Sequence, residues 1–322
     1  MASPNLSEIV TTTLRNRSGT IADNVSENTA LLSRLKSRGN VRTFSGGRTI
    51  IEEMDYAENS TYKRYSGYET LDISPSDVLT AAEFDIKQAS VAISISGLEM
   101  LQNSGKEQKI DLLYARMRNA ERTMKNNLSA DCYSDGTADS GKQIGGLQSL
   151  IADDPTTGTV GGINRATYPF FQNKLYDFSA ESVTSSATTI QAAMNALWLR
   201  CTRNSDSPDL IIFDDVYFTY YWSSLQANQR FTNEKMAEAG FHNLKFQQAD
   251  VVFDGGLGGD APSSHGYFLN TDYIHFRPHK DRNMVPINPD RYSTNQDAMV
   301  KLLGWAGNMT LSNASLQGVM HE

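Results

Sequence analysis

Cysteine, net positive charge, long apolar runs and catalytic motifs are all scarce in this chain of 322 residues, and each scarcity excludes something. The two cysteines are Cys132 and Cys201, and neither has a Cys-x-x-Cys neighbour. That excludes a disulfide framework or a thiolate zinc knot and suits a reducing compartment. No stretch approaches the roughly 18 apolar residues that a membrane-spanning helix needs. The opening residues, Met1 to Glu8, have neither a cationic start nor an apolar run, so no secretory signal is expected. Acidic residues outnumber basic ones 37 to 29, a formal net charge of −8. The whole molecule therefore lacks the basic footprint of a dedicated nucleic-acid binder, although a local basic segment stays open.

Motifs for chemistry are equally thin. There is no Gly-x-Ser-x-Gly elbow and no Gly-Lys-Ser/Thr ending to the glycine-rich stretch Gly255-Gly256-Leu257-Gly258-Gly259. That stretch reads as a surface loop. Asp214-Asp215 could hold a divalent cation, but it stands where a helix N-cap is needed. His275 and His279 have the spacing of a helical metal pair, yet Pro278 between them argues against a helix. No metal, cofactor or catalytic residue is expected. Carboxylate dyads leave no spacing signature, so an α/β enzyme without a readable motif remains a rival.

What is there begins with a polar segment, residues 1–48. It holds one small apolar group, Leu31, Leu32 and Leu35, and the acid-free basic series Arg34, Lys36, Arg38, Arg42 and Arg48. This segment cannot make a core alone and is expected to order only against a partner. Gly46-Gly47 opens a hairpin-like stretch, with one strand expected over 48–56, a polar tip at 59–64 and a return strand over 65–73. Such a hairpin is barely stable alone in water and needs a surface to lie on. Residues 84–88 and 91–96 alternate apolar and polar, as half-buried strands do.

Ser104 and Glu107 then have capping-box spacing. Ile110, Leu113, Met117, Ala120, Met124 and Leu128 follow at spacings of three and four. A helix is expected over 105–130, about 37 Å long at 1.5 Å per residue. Residues 136–186 are rich in loops. Residues 189–203 resume helical spacing, 210–213 form a short continuous apolar run typical of a buried strand, and a helix is expected over 216–227. Residues 251–253, 267–269, 273–276 and 299–311 look like later strands. No internal repeat is present.

This order of parts resembles the HK97-like major capsid proteins of tailed phages. The residues carrying the resemblance are the arm to Arg42, the hairpin from Gly47 to Ile73, strand 91–96, helix 105–130, the α/β block 189–231 and the end strand 299–311. Ser94-Ile95-Ser96-Gly97-Leu98-Glu99-Met100 before the long helix also looks like that family.

The resemblance implies an α+β capsid fold with five segments. They are an N-terminal arm (1–45), an extended hairpin or E-loop (46–78), a peripheral domain with the spine helix (79–136), an axial domain (137–275) and peripheral C-terminal strands (276–322). It implies a structural coat protein, not an enzyme, that self-assembles into the pentamers and hexamers of an icosahedral head around double-stranded DNA. Scaffolding, portal and decoration proteins would be its partners. The virion capsid would be its location, after assembly in the host bacterial cytoplasm, with no cofactor and no membrane.

Candidate inner-surface basic residues are Arg34, Lys36, Arg38 and Arg42. Candidate E-loop contacts between subunits are Glu52, Glu53, Tyr62, Lys63 and Arg64. Lys63 sits where some relatives form a lysine–asparagine cross-link, but the matching acid and asparagine context is missing. The short segment before the hairpin implies a separate scaffold or an already trimmed chain. An encapsulin-type compartment shell shares the implied fold and is the near rival. A tail or baseplate protein is a further one.

Overall fold

The computed structural model describes residues 30–102, 112–225, 243–254, 260–292 and 297–322. Its organising element is a 14-residue strand, β13 (Ala298–Leu311). Its second half, from Leu303 onward, is buried throughout. β3 (Lys87–Ser96) pairs antiparallel with it along all of β3, from Ala298 opposite Ser96 to Gly307 opposite Lys87. On the other side β13 is shared by β12 (Val285–Tyr292) and β11 (Ile274–Pro278). Gly307 is required there, because a Cβ would run into the Arg277 carbonyl and the Trp305 ring. Trp305 is buried and stacks on Phe276 with centroids 5.5 Å apart.

The short helix α2 (Gly97–Gln102) continues β3. The long helix α3 (Leu112–Asp131) then turns Ala120, Met124 and Leu128 inward, as their spacing of four dictates. Its 20 described residues span about 30 Å. The expected capping box at Ser104 and Glu107, with Ile110, lies outside the described residues. No helix among the described residues is long and apolar enough to cross a membrane.

A second sheet has six strands in the order β6-β14-β10-β7-β9-β8: Lys174–Asp177, Gly318–His321, His265–Leu269, Leu210–Phe213, Ala249–Phe253 and Asn243–Phe246. β7 and β9 run parallel, as do β14 and β6. Every residue of β7 is buried, as its unbroken apolar run requires. Helix α4 (Ile190–Cys201) covers the sheet with Ile190, Ala193, Met194, Leu197 and Cys201, and α5 (Asp215–Ser224) follows β7. Asp214 caps α5: its Oδ1 accepts from the Tyr217 N–H at 3.0 Å and its Oδ2 from the Ser264 N–H at 2.7 Å. A small antiparallel turn, β4 (Thr159–Val160) and β5 (Ile163–Asn164), lies between the sheets in sequence.

Two expectations are corrected. The first concerns the arm. Residues 30–44 fold on their own chain. Helix α1 (Ala30–Ser37) buries Ala30, Leu31 and Leu35 completely. The chain beyond it runs parallel to β11: the Arg42 N–H donates to the Phe276 carbonyl at 3.0 Å, and the Phe276 N–H to the Asn40 carbonyl at 3.0 Å. Three apolar side chains are too few for a core, but they suffice to seal an edge of an existing one.

The second concerns the hairpin. β1 (Thr49–Asp55) pairs with β2 (Leu79–Asp85), with Ile50 opposite Phe84 and Glu52 opposite Ala82, and not with residues 65–73. The observed register sets Ile50, Ala82 and Phe84 on one buried face, with Ala82 and Phe84 closing on Gly161. Residues 65–73 are all exposed and offer no such face.

Burial of α1 makes a direct prediction. Leu35→Ala should cost the dispersed subunit about 2–5 kcal/mol of unfolding free energy in denaturant titration. A change within about 0.5 kcal/mol would mean that the helix is not packed on the body.

Candidate inter-subunit surface

Residues 56–78 join β1 to β2 and contain no strand or helix. Polar turns hold the segment. The Thr61 N–H donates to Asn59 Oδ1 at 2.9 Å, and the Ser74 N–H to Asp72 Oδ1 at 3.0 Å. The Ser74 hydroxyl and N–H together keep the Asp72 carboxyl below its usual range. Lys63 pairs with Glu69 at 3.3 Å and reaches the Thr70 carbonyl. Apolar packing contributes little, since Tyr62 is 79% exposed, Tyr65 63%, Ile73 92%, and Tyr68 entirely so. Leu71, and Ile51 and Leu79 at the mouth, are exposed as well. Single exposed apolar residues are ordinary on a soluble surface. A run of them on one projecting segment marks an interaction site.

The expected contact residues divide. Glu53, Tyr62, Lys63 and Arg64 are exposed. Glu52 is not at the surface, and this corrects its assignment as a contact with another copy. It is 7% exposed and accepts from Arg277 Nε at 2.8 Å, Arg277 Nη2 at 2.6 Å and Thr310 Oγ1 at 2.8 Å. Strand alternation forces this, because Glu52 shares the inward face with buried Ile50.

The basic series divides too. Arg34 bridges Asp209 at 3.1 Å and Asp250 at 3.3 Å. Arg38, one turn on, reaches Asp209 at 3.2 Å and Asp272 at 3.8 Å. Lys36 and Arg42 are exposed. Local sequence could not reveal these pairings, because the acids lie more than a hundred residues away. The tyrosines at 65 and 68 and the apolar residues at 71 and 73 are exposed on the same loop and are not among the expected contact residues. Their only sequence signal is an apolar content too high for a loop that carries no turn of its own core.

The chemical candidates resolve into structure. Asp214 is a helix cap. His275 lies within β11 and is buried, and His279 follows the end of that strand, its ring meeting Phe44 edge-on at 5.0 Å. Both cysteines are buried and free. Burial pushes the Cys201 thiol up to about 12 and the Cys132 thiol further still, so neither is a ready nucleophile. The glycine loop at 255–259 lies outside the described residues. Among the described residues, no three His, Cys, Asp or Glu side chains converge on a point.

No protein-family model matches the sequence, and no curated protein matches it. Solved structures do. A chain of the cyanophage A-1(L) capsid asymmetric unit superposes with a TM-score of 0.71 at 17% identity, with 95% of each chain covered. This is a phage capsid fold. A chain from the capsid of the empty GTA particle gives a TM-score of 0.60 at 9% identity, covering 99% of this chain and 98% of its own. One from Mycobacterium phage Bobi gives 0.55 at 12% identity, covering 100% and 98%. The α+β class and the HK97-like architecture follow from these superpositions. At identities this low, the superpositions establish the shared fold alone.

Exposure of the loop yields a prediction about the single subunit. The triple variant Tyr62→Ser, Tyr65→Ser, Tyr68→Ser should change its unfolding free energy by less than about 0.5 kcal/mol, because the rings already stand in water. A loss above about 2 kcal/mol would show that they pack on their own chain.

Proposed function

We propose that this chain is the major coat subunit of a tailed double-stranded DNA phage. Copies associate into pentamers and hexamers and close an icosahedral head in the host bacterial cytoplasm. The loop at 56–78 is the E-loop and lies on a neighbouring copy. α3 is the spine of the peripheral domain, the segment to residue 45 is the arm, and the six-stranded block is the axial domain, which takes its strand β14 (Gly318–His321) from beyond the expected limits of 137–275. Scaffolding, portal and decoration proteins are the partners of this reading, and the subunit's role is structural rather than enzymatic.

One observation carries it: the exposed tyrosines and isoleucine of the loop, on a fold shared with phage capsids. A segment without a core of its own gains order by burying that surface elsewhere. Shell contacts of this kind are individually weak and collectively strong, because closure engages many at once. Glu53, Lys63 and Arg64 supply charge at the rim of the contact. Lys36 and Arg42, with Arg48 further along the same series, are exposed and have charge to offer packaged DNA, and such contacts need no base readout. Arg34 and Arg38 belong to the same series but are paired with Asp209, Asp250 and Asp272.

Replacing residues 57–77 by a short Gly/Ser linker tests the reading. The variant subunit should fold, yet electron microscopy and sedimentation should show no closed particles. Normal shells from that variant would refute the role given to the loop.

A further inference from the structure

The inward face of β1 carries Ile50, Glu52 and Met54, and the glutamate is the exception in an otherwise apolar row. A carboxylate in such a place is costly unless it is paired and hydrogen-bonded. Glu52 meets that condition with one oxygen, Oε1, which accepts from both Arg277 nitrogens and from Thr310. Both partners belong to the body of the molecule, Arg277 on β11 and Thr310 on β13. Apolar contacts through Ile50, Ala82 and Phe84 hold the hairpin down, but they have no direction. The three donors on one oxygen do.

His275 lies two residues before Arg277 on β11, hence on the same face, and stands opposite Thr310 in the register. It is 5% exposed, and its Nδ1 has no hydrogen-bond partner. The charged groups that face it are Glu52 from β1, Arg42 from the arm, Arg277 from its own strand and Asp272 from the turn before it. From Glu52 to Tyr62 is ten residues, up to roughly 33 Å of extended chain. A small tilt at Glu52 therefore moves the loop by several ångströms.

We propose that Glu52, Arg277 and Thr310 form a lock that sets the angle at which the hairpin leaves the body, and that protonation of His275 opens it. Neutral His275 leaves the carboxylate and the guanidinium balanced. A proton on His275 adds a second cation beside Arg277 and turns the orphan nitrogen into a donor, which draws Glu52 off its three-donor seat. Burial, and then Arg42 and Arg277, hold the histidine below its usual range, against the opposing pull of Glu52 and Asp272. The sign follows. The locked state prefers neutral His275, so the lock is complete above the ordinary histidine range, about 6.5, and weakens as pH falls through the depressed value. The consequence for shell assembly rests on the coat-protein reading; the lock itself does not.

Hydrogen–deuterium exchange on dispersed full-length subunits tests it, at about pH 7.5 and about pH 5 with intrinsic rates corrected. Peptides covering β1 and β2 report the hairpin, and β7 is the internal reference. In the unaltered chain, hairpin exchange should rise on the order of tenfold on acidification while β7 stays constant. His275→Gln should abolish that rise. The double variant Glu52→Met, Arg277→Met keeps the burial and removes the lock, so its hairpin should exchange fast at both pH values. The proposal is overturned if the unaltered hairpin shows no acid response, or if the response survives in His275→Gln. Should His275→Gln unfold, seen as fast β7 exchange, the double variant decides alone: an acid response there overturns the proposal, and its absence supports it. Because no assembly is read, a failed lock leaves the coat-protein reading standing.

Discussion

Water on the face of the loop at 56–78 is the constraint around which the rest of the molecule is arranged. The two sheets find cover for most of their apolar surface. β7 is closed over by α4 and α5, β13 is flanked on both sides, and even the short α1 spends its leucines on the body. The loop keeps three tyrosines, a leucine and an isoleucine together in solvent, where the exposed leucines elsewhere, such as Leu98 and Leu199, stand apart in sequence. It stays soluble by means of its own Asx-type turns and the Lys63–Glu69 pair, which contribute little energy and much local shape. On the proposed reading, a second copy covering the loop would gain the hydrophobic free energy of burying that surface.

Electrostatics fastens the outlying parts. The chain is acidic overall, yet several of its arginine–carboxylate pairs sit where an appendage meets the body. Arg34 ties α1 to Asp209 and Asp250 beside β7 and β9. Arg277 ties the hairpin through Glu52. Arg116 of α3 reaches Glu99 at 2.9 Å and the Ser94 carbonyl, joining the long helix to the end of β3, and this guanidinium holds the Glu99 carboxyl below its usual range. Partly buried pairs of this kind add little net stability over an apolar contact, but they fix one geometry. On the coat-protein reading, appendages must be presented at repeatable angles, and that is the property required.

Legibility in the sequence followed the length and regularity of each pattern. β7, α4, the described part of α3 and the whole of β13 stand where alternation, helical spacing or an apolar run put them, and Asp214 caps the helix that its position suggested. The four-residue strands β6, β8 and β14 carry too few periods to be seen. The return strand of the hairpin was misplaced because residues 65–73 and 79–85 both mix apolar and polar residues. Only the second set has a body surface, at Gly161, to lie on. Glu52 was read as a surface charge for the sound reason that carboxylates are rarely buried. Its partners lie 225 and 258 residues away, beyond the reach of local spacing. The arm's burial was hidden in the same way, since Leu31 and Leu35 look isolated until the body they seal is present.

The central claim is that another copy of this chain covers the loop. Hydroxyl-radical footprinting of Tyr62, Tyr65 and Tyr68, compared between dispersed subunits and assembled particles, addresses it most directly. The account predicts ready modification of all three in the dispersed state and strong protection on assembly. Equal modification in both states would contradict it.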